Sequence, residues 1–163
     1  MRLIIYFLFS CCSLMAVERP NILFCMADDW GWPHAGAYGD EGIQTPNFDR
    51  LAREGVLFHH TYVSSPSCTP SRNAVITGKY HWQLDSGANL WSFLPAEHES
   101  FIHLLADSGY VIGQNKPKTW GPGKIESWVD VHGEHPAGPT YKDINEFFQK
   151  TDAGDKPFFF WYS

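Results

Sequence analysis

The sequence predicts an α/β domain with a mainly parallel sheet flanked by helices. Two short, almost wholly apolar runs carry that prediction, residues 21–26 (NILFCM) and 158–162 (FFFWY). Each has the length and composition of a strand buried on both faces of a parallel sheet. Between them lie capped, helix-spaced apolar patterns, and strands that alternate with helices build parallel sheets. Ligands bind beyond the carboxyl ends of such strands. Asp28 and Asp29 directly follow the first run, which places them at that edge.

The elements follow in order. Thr45-Pro46 supply an N-cap and a first-turn proline. Phe48, Leu51 and Ala52 then fall at helical spacing, and Gly55 stops the helix. Residues 56–63 read as a second strand, with Cys68 following it. Residues 66–70 read as a turn and 71–77 as a short helical piece ended by Gly78. Ser100 caps a helix carrying Phe101, Leu104 and Leu105; Gly109 closes it, and 110–112 is strand-like. A loop rich in Pro and Gly spans 117–123, and 143–150 reads as a helix with Ile144, Phe147 and Phe148 on one face. A domain seldom stops on a core strand, so the chain is expected to be incomplete at its C-terminus.

A length of 163 residues fits one domain with a real core. Hydrophobic residues at 44% and charged residues at 18% make it globular rather than disordered. Seven Trp are read chiefly as packing, with a sugar-facing surface as the alternative. The net charge is −6 and Lys/Arg do not cluster, which argues against a nucleic-acid partner. An anionic substrate is not excluded, because cations can converge in one pocket of an acidic protein.

Arg2, the apolar run 3–9 and the small-residue stretch 10–16 read as a signal peptide over 1–16, leaving 17–163 as the mature chain. The run is too short to span a bilayer. The stretch 8–11 also resembles a lipobox, with a lipid anchor on Cys11 as the second reading. Either reading makes the protein secreted or periplasmic. Of four cysteines, Cys25 and Cys68 then remain. Cys25, within an apolar run, is expected to be a buried core thiol. A Cys25–Cys68 disulfide is disfavoured because Cys68 has a more specific role.

Cys68-Thr69-Pro70-Ser71-Arg72 matches C-x-P-S-R. A chance match is on the order of one per cent or less at this length and average composition. Ser64-Ser65-Pro66-Ser67 precedes it and 73–80 (NAVITGKY) follows. The whole stretch resembles the signature of the formylglycine-dependent sulfatases. The resemblance implies an alkaline-phosphatase-like fold and oxidation of Cys68 to formylglycine by a dedicated maturation enzyme. One hydroxyl of the aldehyde hydrate would attack sulfur and release the alcohol or amine. The second would lose its proton and expel sulfate by elimination. Arg72 lies four residues on, on the same face if the segment is helical, where its guanidinium would orient and ionise the diol.

Residues 20–31 resemble the family's opening, P-N-I-L-x-x-x-x-D-D-x-G, which supplies two carboxylates to a metal. Adjacent carboxylates repel unless a cation offsets them. The resemblance implies Ca²⁺, with Mg²⁺ as the alternative, held by Asp28, Asp29 and the residue made from Cys68. Residues 42–58 resemble the family's T-P-N-x-D-x-L-A-x-x-G-x-x-F stretch and are read as structural. The family also carries G-Y-x-x-G-x-x-G-K, whose Lys contacts sulfate. Counting back from Trp120-Gly121-Pro122-Gly123 selects Lys118, with Lys116 as the alternative. Many members place a His two residues after that Lys; Trp120 stands there instead. Among the eight His, His81 follows the T-G-K-Y turn as a candidate substrate contact, and His132 and His135 are placed in a loop facing substrate.

The resemblance covers 20–163, and 156–163 (KPFFFWYS) resembles the strand that runs into the family's P-H-x-P motif. Further metal ligands and a second Lys belong to later family segments. The expectation is therefore the first half of a catalytic domain, inactive and poorly stable alone because open sheet edges remain. The predicted activity is removal of sulfate from a sulfated carbohydrate, as ester or sulfamate. Residues 84–95 and the W-G-P-G loop resemble glycan-sulfatase and heparan-N-sulfatase members. The alternatives are a phosphoesterase or phosphonate hydrolase of the same superfamily, and a non-catalytic fragment.

Overall fold

The structure, a computed structural model, describes residues 19–115 and 126–163. The leader at 1–16 with Cys11, the loop 117–123 with Trp120, and both Lys116 and Lys118 lie outside the described residues.

Three parallel strands, β1 (Ile22–Cys25), β2 (Val111–Gln114) and β3 (Phe158–Tyr162), form one sheet in the order β1-β3-β2. The last strand in sequence is thus central. Ile22 lies opposite Phe159, and Ile112 lies on its other side. Side chains alternate across a strand, so an all-apolar strand needs a core on each face. Here Phe159 and Trp161 enter one core, with Ile102, Ile76, Leu84, Leu94 and Trp128. Phe158 and Phe160 enter a second, with Phe147 and Ala153.

The helices are α1 (Pro46–Glu54), α2 (Cys68–Thr77), α3 (Phe101–Asp107), α4 (Glu126–His132) and α5 (Ile144–Lys150). Their caps follow the sequence signals. Ser100 Oγ accepts from the Ile102 N–H, and an Asp143 carboxylate oxygen accepts from the Glu146 N–H at 2.9 Å. Gly78 ends α2 with φ +65, a left-handed conformation that glycine adopts without steric cost. Gly113 serves close approach instead. A Cβ there would meet Phe147 Cδ2 at 2.7 Å, so its absence lets α5 seat on the sheet.

Several expectations are corrected. Strand β1 is buried on one face only: Phe24 packs on the first core, while Leu23 and Cys25 are exposed. Cys25 is therefore not a core thiol, because β1 is an edge strand with no helix over its second face among the described residues. Residues 56–63 form no strand, since no sheet neighbour offers them a ladder. Cys68 consequently follows an irregular segment and is the first residue of α2, which starts three residues earlier than the sequence suggested. Pro70 fits there because the first helical turn does not use its missing N–H. Helix α4 was not anticipated, and it carries His132 at its end rather than in a loop.

Candidate active site

The carboxyl edge of the sheet gathers the chemistry. Strand β1 ends at Cys25, and the Met26 N–H still pairs with the Tyr162 carbonyl at 2.9 Å. The chain then turns through Asp28 and Asp29. Asp29 has φ +52, a left-handed conformation uncommon for a residue with a side chain and best tolerated by Asn and Asp.

Helix α2 brings the second set of groups. It is anchored at mid-length, where the buried Asn73 Nδ2 donates to the Gly87 carbonyl at 2.7 Å and Ile76 is fully buried. That anchoring directs its N-terminus at the Asp pair. Cys68 Sγ lies 3.9 Å from Asp28 Oδ1. Arg72, one turn along the helix, is 4% exposed, and its Nη2 donates to the same Asp28 oxygen at 3.3 Å. Asp28 is itself largely solvent-facing, so the pair joins a buried cation to an open carboxylate.

A cleft of about 360 Å³ runs between the two elements. Asp28, Asp29 and Trp30 line it from the β1 loop, and Cys68, Ser71 and Arg72 from α2, with Ser67 just before that helix. The ligand atoms of Asp28, Asp29 and Cys68 all lie within 4.8 Å of one another. Oxygen ligands sit about 2.3–2.6 Å from Ca²⁺, so two on opposite sides are at most ~5 Å apart. The three groups thus fit around one ion. Two carboxylates suit a hard cation and a thiol does not; an oxygen-bearing side chain at position 68 would make the set uniformly hard.

The sequence-derived candidates divide clearly. Cys68, Arg72, Asp28 and Asp29 come together. His81 does not line the cleft: its backbone N–H donates to Ser64 Oγ at 2.8 Å, and its Nδ1 lies 2.9 Å from the same oxygen. His132 Nε2 lies 2.7 Å from the Ala96 carbonyl. His135 Nδ1 accepts from the Ala137 N–H at 3.0 Å and faces Gln114 Nε2 at 3.1 Å. Burial first, and the nearby His103 second, lower its pKa to about 4. The Arg72–Asp28 contact was not anticipated, because sequence spacing cannot pair residues 44 positions apart. Trp30 carries no sequence signal of its own beyond its place beside Asp29.

The carboxyl edge of this parallel α/β sheet thus sets a cysteine, a carboxylate pair and a buried arginine around one cleft. The sulfatase family model matches residues 20–163, and the chain belongs to the sulfatase family. It is 42% identical over 120 residues to human steryl-sulfatase, covering 66% of this chain and 20% of that protein. It is 34% identical over 131 residues to an N-acetylglucosamine-6-O-sulfatase of Bacteroides thetaiotaomicron, covering 76% and 22%. A solved structure from a core genetic locus for glycosaminoglycan metabolism in the same bacterium superposes with a TM-score of 0.54 at 33% identity, over 60% of this chain and 21% of that one. The chain thus spans about a fifth of the length of these relatives. Among the described residues, no helix is long and apolar enough to cross a membrane.

Proposed function

We propose that the polypeptide carrying this chain hydrolyses sulfate esters or sulfamates of a sulfated carbohydrate, with a formylglycine made from Cys68. The observation that carries the reading is the meeting of Cys68, Asp28, Asp29 and Arg72 in one cleft. Family membership supports the reaction class, and relatives named for hexosamine sulfates support the substrate class.

Asp28, Asp29 and position 68 would hold Ca²⁺, which when bound supplies positive charge against the sulfuryl oxygens. A formylglycine hydrate at position 68 would supply one hydroxyl to attack sulfur with release of the alcohol or amine, and a second whose proton loss would expel sulfate. Arg72, held at low exposure by α2, presents its guanidinium where that diol sits and favours its ionised form. Lys118 is proposed as the cation on the sulfuryl oxygens, in the role of the family's lysine.

The test replaces Cys68 with Ala in the active polypeptide that carries these residues and measures sulfate release. Loss of at least about 10³-fold in kcat is expected for removal of a nucleophile. Retention of the wild-type rate would refute the reading.

A further inference from the structure

The cleft holds one aromatic residue among its described lining, Trp30, and nothing in the proposed chemistry uses it. It directly follows Asp29, so its Cα is about 3.8 Å from that of a proposed metal ligand. Trp30 is 42% exposed, and its indole is held at two points. The Nε1–H donates to the His34 carbonyl. Phe48 on α1 meets the indole edge to face, with centroids 5.3 Å apart and planes at 70°. Phe48 in turn packs against Tyr38 at 5.8 Å. An indole anchored by its polar atom and one neighbour, partly exposed and lining the cleft, offers a ligand a surface held in place.

The charged groups of the cleft are Asp28, Asp29 and Arg72, with Cys68 beside them. A sulfate bound there leaves the group that bears it against the rest of the cleft lining, which includes Trp30. Pockets orient ligands with a few polar contacts and bind the remainder against apolar and aromatic walls. A hexopyranose presents one face of C–H bonds polarised by ring oxygens, and an electron-rich indole face is complementary to it.

We infer that Trp30 is the specificity residue of this cleft, stacking on the pyranose ring that carries the sulfate. This rests on the function proposed above and adds the surface that reads the sugar.

The experiment compares wild type, Trp30→Ala and Trp30→Phe in the active polypeptide. The probes are sulfated glucosamines, 6-O-sulfated and N-sulfated, with inorganic sulfate as a ring-free competitive inhibitor. Trp30→Ala should raise KM for the better sugar about tenfold, the scale of a lost aromatic stack, with kcat changed far less. The Ki for inorganic sulfate should shift less than about twofold, because that ligand has no ring to stack. Trp30→Phe should recover most of the loss. An unchanged KM, or KM and Ki rising in parallel, would overturn the inference while leaving the Cys68 result standing. Failure of the wild type to release sulfate from either sugar would overturn the sugar substrate, and the platform with it.

Discussion

Asp28 shares one oxygen between two partners, the Cys68 sulfur at 3.9 Å and the Arg72 guanidinium at 3.3 Å. That sharing ties the loop after β1 to the N-terminus of α2 through a single carboxylate. Arg72 is nearly buried, and a planar fork there can bond Asp28 and still face position 68, which a lysine ammonium on a flexible stem cannot do equally well. Arg72→Lys, which keeps the charge, should lower kcat/KM about 10²-fold, the scale of one lost transition-state donor. Steady-state sulfate release checks this; a change within a factor of two would mean that charge alone is required. At this scale the sequence was informative about identity and silent about geometry. The resemblance of 20–31 and 68–72 to sulfatase motifs marked Cys68, Arg72, Asp28 and Asp29. The left-handed backbone of Asp29 and the Arg72–Asp28 contact depend on how β1 and α2 are set against each other, which local pattern does not encode.

Among the elements, α2 does most to build the site. Its C-terminal half is held by Asn73 and Ile76, so its first residue, Cys68, is fixed over the sheet edge. The opposite face of the sheet depends on α5, and its contact is tight: Phe147 occupies the space a side chain at 113 would need. Gly113→Ala places a Cβ 2.7 Å from that ring and should destabilise the domain by about 1–3 kcal/mol, the usual cost of overpacking. Urea unfolding of the folded, active polypeptide measures it, and a midpoint equal to wild type would show that α5 can retreat freely. Elements with strong local signals were legible: capped α3 and α5, and β3 with its unbroken apolar run. Residues 56–63 carry strand-type residues but have no neighbouring strand among the described residues, and strand preference is chiefly a fit to neighbours. Helix α4 lies beside a Pro/Gly-rich stretch that masked its short pattern.

At the scale of the molecule, the described residues form a three-stranded parallel sheet with the latest strand in the middle and a core on each face. That order puts the exits of β1 and β3 side by side, so the loop bearing Asp28 and Asp29 opens at the sheet's carboxyl edge. The fold class was readable because a central strand such as β3 needs apolar residues at every position. The edge position of β1 was not, because its composition alone is that of a central strand; only the ladder shows that Leu23 and Cys25 face outward. At this scale the proposed function depends on one arrangement, in which position 68 would carry an oxygen nucleophile toward the two carboxylates. The direct measurement is the mass of the peptide containing residue 68, taken from catalytically active protein made alongside a formylglycine-generating enzyme. The account predicts a mass about 18 Da below that of the encoded cysteine peptide, the difference between a thiol and an aldehyde. Active protein with an intact thiol at that position would contradict it.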